Sequence, residues 1–365
     1  MYIHERPEWP RFTRRDDRLI APLARVRELH GRLLGRLDAV GLRTLSETTL
    51  ENLTQDVVRS AEIEGDRLEA RQVRSSIARR LGLESAEIVP ASREVDGMVA
   101  LTLDAIRNSL APMTQERLLG WHDALFPNAS NGLHEIRAGR WRDDRWGPMQ
   151  VVSVGGGAEQ ILFQAPEAVR IAPEMERFLD WLATDDEEDP VLKAATAHLW
   201  LVTIHPFDDG NGRIARALTD MLLARMDGRG IRFYSLSAVI LSEREDYYGM
   251  LGSAQGGTLD ITEWLLWFLR ALEKALERAA GRIGMVLQRH LFWQHHRSAP
   301  FNGRHRKLLG ILLEGREGRL TLGKWSRIAR CPPDTASRDI QFLLDRGILE
   351  CGGCGGRGIG YRLVA

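Results

Sequence analysis

The feature that most constrains the fold is a buried-looking segment that ends at a short polar loop and is followed by a periodic apolar pattern. Residues 194–204 are nearly all apolar, and residues 205–213 are mostly polar and contain two glycines. Apolar side chains then recur at helical spacing, at Ile214, Ala217, Leu218, Met221 and Leu222. This spacing predicts an amphipathic helix. We therefore predict a helix, a loop and a second helix, with Gly210, Asn211 and Gly212 at the start of the second.

The start of that second helix is suited to an anion. The first N–H groups of a helix have no intrahelical partner, and the helix dipole adds positive potential there. Arg213 and Arg216, one turn apart, extend this positive region. A phosphate-binding loop is therefore the first functional hypothesis.

The rest of the chain is mostly helical in pattern. Its 365 residues, 44% of them hydrophobic, are enough for two or three globular domains. A helix is expected from about residue 15 to 38, and a second from a cap at Ser46 to Glu64, ended by Gly65. Further helices are predicted at about 66–82, 92–109, 114–126, 166–184, 191–205, 236–254 and 261–285, and the helix after the polar loop is predicted to end near 226.

A β-hairpin interrupts this helical pattern. Residues 149–154 and 160–164 alternate with a period of two and flank a run of three glycines at 155–157. Such alternation around a glycine turn predicts two antiparallel strands.

The last part of the chain differs from the rest in charge. The whole sequence is neutral, but residues 297–365 contain 13 Lys and Arg against 6 Asp and Glu, a net charge of +7. Three short apolar repeats and a Gly-rich turn predict three helices and a small hairpin, as in a winged helix. Its third helix would present Thr335, Ser337, Arg338 and Gln341 to phosphates or base edges. DNA contact and a protein-interaction or dimerisation role both stay open.

The sequence predicts a cytoplasmic protein. No apolar run is long enough to span a bilayer, and the first residues lack the apolar core of a secretory signal. The odd number of cysteines, three, suits a reducing compartment. Cys351 and Cys354 have metal-ligand spacing, but no second Cys or His pair follows them, so a turn of small residues is the favoured interpretation.

Residues 205–216 resemble the signature of the Fic family, H-x-F-x-[D/E]-G-N-G-R-x-x-R, at every specified position. The resemblance implies an all-helical core, here about residues 95–285. It also implies an activity that uses ATP to place AMP on a Ser, Thr or Tyr hydroxyl of a target protein.

Three side chains of this segment fit that chemistry when each is considered separately. His205 is a base near neutral pH that can take a proton from a hydroxyl, although a buried core histidine is the alternative. Phe207 fits a hydrophobic anchor for the loop. Asp209 suits Mg²⁺ that also binds phosphate oxygens, or it caps the helix.

The other specified residues of this segment fit phosphate binding. Gly210 and Gly212 let backbone N–H groups approach phosphates, and the Asn211 amide can donate as well. Arg213 and Arg216 can hold the β- and γ-phosphates by forked hydrogen bonds, with surface salt bridges as the alternative.

By the same resemblance, the hairpin is a flap that binds a target segment as an added β-strand. The residues predicted to dock the target are Met149, Gln150, Val151, Val152, Ile161, Leu162 and Phe163. Tyr247 and Tyr248 resemble the aromatic pair near the adenine pocket of the family, and core packing explains them nearly as well.

Ser60, Glu64 and Gly65 are similar to the inhibitory motif [S/T]-x-x-x-[E/D]-[G/N] of autoinhibited Fic proteins. Positions i and i+4 share one helical face, so the Ser60 hydroxyl is expected to steady the Glu64 carboxylate. The resemblance implies that Glu64 pairs with Arg216 and so occupies an arginine that ATP needs.

The sequence thus predicts a mainly α protein with three parts. These are an N-terminal helical domain with the inhibitory helix (1–90), a Fic core with a β-hairpin flap (95–285) and a winged helix (297–365). The predicted function is an autoinhibited protein adenylyltransferase that uses ATP and Mg²⁺. The alternatives are removal of AMP from the same target, and a DNA-binding regulator whose core senses nucleotide. The target is not identified, DNA and a second copy of the chain are open as partners, and no membrane is expected.

Overall fold

The structure is a computed structural model that describes residues 1–38, 42–83, 88–130, 135–145, 147–155, 158–184, 188–313, 320–352 and 360–364. The chain forms two compact units, Met1–Leu34 with Leu42–Ala279 and Gly35–Gly41 with Ala280–Ala365. Over the described residues the fold is mainly helical, as predicted. None of the described helices combines the length and apolar character needed to cross a bilayer.

The first unit contains the predicted helices in the predicted order. They are α1 (Asp16–Asp38), α2 (Leu42–Glu64), α3 (Ala70–Leu81), α4 (Arg93–Arg107), α5 (Gln115–Leu125), α6 (Ile171–Ala183), α7 (Pro190–Ile204), α8 (Asn211–Asp227), α9 (Leu236–Ser242), α10 (Arg244–Gln255) and α11 (Thr262–His295). The last turn of α1 and the last part of α11 belong to the second unit.

The core of the first unit is built around α7. All residues from 194 to 204 are buried, which explains why this segment is apolar on every side. Helix α7 packs along α8, and α8 also contacts α2 and α4. Because α2 lies against α8, the end of α2 is brought to the start of α8.

Several predicted helix bounds differ from the structure. Helices α3 and α6 begin at Ala70 and Ile171, four and five residues after their predicted starts. Ser46 is not the cap of α2, because the helix begins four residues earlier, at Leu42. The region 236–254 forms two helices instead of one, since the backbone leaves the helical conformation at Glu243 (φ −124°, ψ 37°). Helix α11 extends to His295 instead of ending near residue 285.

The predicted hairpin is present as β1 (Gln150–Gly155) and β2 (Ala158–Gln164), which pair antiparallel. The N-terminal segment packs against the end of β2. The Phe163 ring is 1% exposed and meets the Tyr2 ring edge to face at 5.1 Å. The His4 imidazole donates from Nε2 to the Gln164 carbonyl at 2.8 Å. A lone two-stranded sheet is marginal in water, so these contacts explain why it persists here.

The second unit contains α12 (Gly303–Leu313), β3 (Leu320–Thr321), α13 (Leu322–Ala329), α14 (Pro333–Asp345), β4 (Leu349–Cys351) and β5 (Gly360–Leu363). The strands form an antiparallel sheet in the order β3-β5-β4, and Leu309, Trp325 and Leu343 are at the centre of its core. The three helices and the paired strands β4 and β5 agree with the predicted helices and hairpin, whereas the third strand, β3, was not predicted. The winged-helix assignment stays a prediction.

The residues predicted to contact DNA lie on α14. Ser337, Arg338 and Gln341 are exposed, and Thr335 is half-buried. Cys351 is exposed at the end of β4, and Cys354 lies outside the described residues, so the prediction for this cysteine pair is not tested.

Candidate active site

His205 occupies the turn where the chain leaves α7. Its backbone is left-handed, with φ 51° and ψ 60°, and its N–H donates to the Leu201 carbonyl at 3.0 Å. A residue other than glycine in this region costs about 1–3 kcal/mol and persists when its surroundings hold it. The turn points the chain from the buried helix into the polar loop.

The imidazole of His205 is in the state that a general base requires. Its Nδ1 lies 3.2 Å from the Val202 carbonyl, which assigns the proton to Nδ1 and leaves Nε2 with a free lone pair. Burial lowers the pKa of His205 to about 4, and the Arg142 charge lowers it as well. The ring is therefore neutral at pH 7 and can accept a proton.

Phe207 anchors the loop, as predicted. Its side chain is 0% exposed and stacks on the His122 ring with the centroids 4.1 Å apart. His122 accepts the Gly139 N–H at Nδ1 (3.0 Å) and donates from Nε2 to the Asp209 carbonyl (3.2 Å). Burial lowers the pKa of His122 to about 4, so it stays neutral and makes both bonds. Sequence reasoning missed His122, whose signal was a histidine on the apolar face of α5.

Asn211 closes the loop instead of facing outward. Its Oδ1 accepts the Phe207 N–H at 3.0 Å, and its Nδ2 donates to the Phe207 carbonyl at 2.9 Å. The residue is 2% exposed. The predicted donation of this side-chain amide to phosphate therefore differs from the bonds that it makes in this structure.

The two glycines lie at the start of α8, as predicted. Gly210 precedes the helix with a φ of 81°. A Cβ at Gly212 would lie 2.1 Å from Glu64 Oε1 and 3.1 Å from Arg216 Nη1. Glycine at 212 is thus what lets the Glu64 carboxylate reach the positive end of α8.

Arg216 is bound on three sides by the end of α2. Its Nη1 is 2.7 Å from Glu64 Oε1, its Nε donates to Ser60 Oγ at 2.9 Å, and its Nη2 donates to the Ser60 carbonyl at 2.9 Å. The sequence predicted a contact of the Ser60 hydroxyl with the Glu64 carboxylate; the contact observed for this hydroxyl is the bond that it accepts from the Arg216 guanidinium. Gly65 follows with a φ of 95°, as a residue that ends a helix.

The electrostatics of this pair favour its charged form. Burial by itself raises the pKa of Glu64, but the charge and hydrogen bond of Arg216 outweigh burial and hold the pKa below its ordinary value. The Glu64 side chain is 28% exposed and that of Arg216 is 2% exposed, so the arginine is the deeply buried partner. Tyr248 adds a bond from its hydroxyl to Glu64 Oε2 at 3.3 Å.

Arg213 pairs with two carboxylates, that of Asp209 in the same loop and that of Asp66. The pairing with Asp66 was not predicted from the sequence. Nη1 of Arg213 is 2.9 Å from Asp66 Oδ2, and its Nη2 is 3.2 Å from Asp209 Oδ1. Its guanidinium also lies over the Phe126 ring, 5.1 Å from the centroid. Asp66 directly follows the motif Ser60–Gly65 but is not part of it, and no sequence pattern indicated a role for this residue.

The two tyrosines have different surroundings. Tyr247 is 1% exposed, and its hydroxyl is 2.8 Å from Nε2 of the buried His198, so it belongs to the core. Tyr248 is half-buried and faces Glu64. Core packing, the alternative interpretation, therefore explains Tyr247 in this structure.

The flap presents three large apolar side chains to solvent. Val152, Ile161 and Leu162 are 43%, 49% and 44% exposed, and Val152 pairs with Ile161 across the hairpin. Met149, Gln150 and Val151 are half-buried. Phe163 differs, since it is buried beneath the N-terminal segment and anchors the flap.

Asp209 is the loop carboxylate that could bind a cation. Its Oδ1 accepts the Gly210 N–H and faces Arg213. Among the described residues no group of three His, Cys, Asp or Glu side chains could hold a metal. One carboxylate beside a phosphate-binding loop fits Mg²⁺, which takes few protein ligands and several from phosphates and water.

The fold and site together define a helical protein in which a carboxylate from α2 lies against the loop and the start of α8. Residues 112–223 match the Fic/DOC family, and residues 2–83 match a domain of unknown function, DUF4172. The chain thus contains a Fic/DOC domain preceded by a DUF4172 domain.

Two relatives carry the name protein adenylyltransferase Fic. The one from Nematostella vectensis is 25% identical over 268 residues, 70% of this chain and 57% of the relative. The one from Drosophila willistoni is 30% identical over 228 residues, 61% of this chain and 41% of the relative. The chain thus spans about two fifths to three fifths of these relatives.

Solved structures of Fic proteins share the fold. A Fic family protein from Desulfovibrio desulfuricans G20 superposes with a TM-score of 0.55 at 22% identity and covers 95% of this chain and 96% of its own. Fic-1 (residues 134–508) from C. elegans gives a TM-score of 0.52 at 25% identity over 73% of each chain.

Proposed function

We propose that the protein is an adenylyltransferase that moves AMP from ATP to a hydroxyl of a target protein, and that Glu64 inhibits it. The observation that carries the proposal is the Glu64 carboxylate, which lies against Gly212 at the start of α8 and is paired with Arg216. An anion from α2 thus occupies the place where the signature implies phosphate. The names of the relatives support the reaction class.

In this reaction His205 Nε2 takes the proton of the attacking hydroxyl. The hydroxyl oxygen forms a bond to the α-phosphorus, the bond to the bridging oxygen of the leaving group breaks, and pyrophosphate departs. The backbone N–H groups at Gly210 and Gly212, with Arg213 and Arg216, hold the charge on the phosphates.

Asp209 would hold Mg²⁺, which would neutralise phosphate charge when bound.

Tyr248 borders the site and Tyr247 supports it from the core. The exposed flap side chains Val152, Ile161 and Leu162 would bind a segment of the target by strand addition.

Inhibition follows from competition for one guanidinium. Arg216 cannot bind the γ-phosphate while Glu64 and Ser60 occupy its three nitrogens. Removal of the Glu64 carboxylate frees Nη1 of Arg216 and opens the space beside Gly212.

The test is transfer of radiolabelled AMP from ATP and Mg²⁺ to protein, followed by intact-mass spectrometry for the AMP increment. Wild type should label weakly, Glu64→Gly strongly, and Glu64→Gly with His205→Ala about 10²–10⁴-fold less than Glu64→Gly, as expected for loss of a general base. Equal labelling by all three proteins would refute the mechanism. Loss of AMP from a modified target without added pyrophosphate, observed only with Glu64 present, would instead assign hydrolytic removal of AMP, in which water attacks the phosphorus and the target hydroxyl leaves.

A role in DNA binding is a second candidate, favoured by the exposed Ser337, Arg338 and Gln341 on α14 of a segment with a charge of +7. Titration with duplex DNA at two salt concentrations tests it, because phosphate contacts weaken steeply with salt. Lack of binding at low salt would exclude it.

A further inference from the structure

Arg142 connects two parts of the site that are distant in sequence. Its side chain is 0% exposed, and it lies in the loop between α5 and β1. Its Nε donates to the His205 carbonyl at 2.7 Å, and its backbone N–H donates to the Pro206 carbonyl at 2.9 Å. One residue therefore holds two consecutive carbonyl groups at the left-handed turn of His205.

The same guanidinium holds the segment that leaves the flap. Its Nη2 donates to the Pro166 carbonyl, two residues after β2 ends. Its Nη1 is 3.0 Å from Asp144 Oδ1, and Asp144 Oδ2 accepts the Ala168 N–H at 2.7 Å. The exit of the flap and the backbone of His205 are thus bonded to one rigid, planar fork.

We propose that Arg142 is a positioning residue for transfer, which fixes the flap relative to the His205 imidazole so that a hydroxyl on a flap-bound segment meets Nε2. The inference rests on the proposed function for the identity of the reaction. The bonds described for Arg142 go to the backbone of His205, Pro206 and Pro166 and to Asp144, not to the phosphate-binding residues Gly210–Arg216 or to the exposed side chains of the flap. Its effect is on geometry, and errors of about 1 Å in such positioning cost about 10²-fold in rate.

The charge of Arg142 provides a second measurement, the pKa of His205, which would not change if Arg142 had a purely structural role. The charged groups that face His205 are Arg142, Glu64 and Asp209, and of these Arg142 lowers the pKa of His205, while the two carboxylates raise it. Removing the Arg142 charge should therefore raise this pKa. A lysine at 142 keeps the charge but cannot form the fork, so it separates charge from positioning.

The experiment compares Arg142→Gln and Arg142→Lys with a matched control, Arg145→Gln. Arg145 is three residues away in the same loop and pairs at the surface with Asp143 at 3.0 Å. Transfer is measured in the Glu64→Gly background, with kcat and the KM for ATP determined separately. The His205 pKa is measured in protein with natural Glu64 by NMR titration of ¹³C-labelled histidine, assigned with His205→Ala.

Both Arg142 variants should lose at least about tenfold in kcat, with the KM for ATP within about twofold of the parent. The Gln variant should raise the His205 pKa by about half a unit or more, and the Lys variant should leave it unchanged. Both should speed amide exchange at Ala168 and in β2. Arg145→Gln should change none of these quantities.

The proposal is overturned if Arg142→Gln keeps the parent kcat, or if it leaves the His205 pKa and the exchange of β2 unchanged. If Glu64→Gly transfers no AMP to any protein, the proposed function fails, and the NMR and exchange measurements still decide the position of Arg142. If the Gln variant does not fold, the Lys variant decides by its exchange and kcat, with thermal unfolding as the check on folding.

Discussion

Arg213 and Arg216 of α8 each face an acidic side chain from the segment that ends α2, but the two pairs differ in burial. The inner pair is Arg216, 2% exposed, with Glu64; Ser60 supplies two further bonds. The outer pair is Arg213, 12% exposed, with Asp66, whose side chain is 51% exposed. A solvent-exposed pair contributes about 0–1 kcal/mol, whereas a buried guanidinium needs its partners. The inner pair is therefore the one expected to control ATP binding.

The largest effect should come from breaking the inner pair. Glu64→Gly should tighten ATP binding at least about tenfold, because it frees a charged donor for phosphate, whereas Asp66→Gly should change it by less than about threefold. Isothermal titration with ATP and Mg²⁺ measures both, and Glu62→Gly, which removes another α2 carboxylate that pairs with Arg59, controls for glycine in the helix. Equal effects of the Glu64 and Asp66 variants would remove the distinction between the pairs.

A smaller effect is expected from the hydroxyl within the inner pair. Ser60→Ala deletes the acceptor for Arg216 Nε and leaves the Ser60 carbonyl and Glu64 in place. One hydrogen bond to a charged group, partly replaced by water, should tighten ATP binding about two- to tenfold. The same titration measures it, and a decrease in affinity would show that Ser60 supports the ATP-binding state instead of the inhibited one.

The outer pair should respond to salt. Asp66→Asn keeps the shape of the side chain and removes its charge, so we expect at most about a threefold gain in ATP affinity. This gain should shrink when ionic strength rises from 0.05 to about 0.5 M, because exposed charges are screened. If the gain in ATP affinity did not depend on salt, the Asp66 pair would behave as a buried pair, like that of Glu64.

The smallest effect should be that of mild acid on wild type. The pKa of Glu64 is held below its ordinary value, so the carboxylate stays charged, and the inner pair intact, until the pH falls through that lowered pKa. ATP affinity of wild type should therefore not increase between pH 7 and pH 5. A rise of more than about threefold over this range would contradict the lowered pKa of Glu64.

Several features could be predicted because their causes are local in sequence. The buried helix α7, the loop and the apolar face of α8 follow from spacing within about thirty residues, and the hairpin follows from alternation around three glycines. The pairing of Glu64 with Arg216 was available through the family resemblance alone. Spacing could not supply this pairing, since Glu64 and Arg216 are 152 positions apart.

His122, Arg142 and Asp66 were missed for a physical reason. His122 and Arg142 bind mainly to backbone carbonyl and amide groups, and every residue has these groups, so the partners have no sequence pattern. Asp66 lies in a segment with several other charged residues, and only the packing of α2 against α8 shows that it is the one that meets Arg213. The contact of Ser60 with Arg216 could not be predicted either, because an i, i+4 spacing shows which residues share a face but not which group from another helix they meet.

The sequence by itself thus determined the class of fold, the residue types of the loop from His205 to Arg216 and the apolar faces that drive packing, because these depend on residue type and short spacing. The tertiary structure decided which acidic group neutralises each arginine and how His205 is held in a left-handed turn. It also decided that the Asn211 side chain bonds to the Phe207 backbone within the loop. Those outcomes depend on burial and on distances between segments far apart in the chain, where the loss of water makes one partner strongly preferred over another.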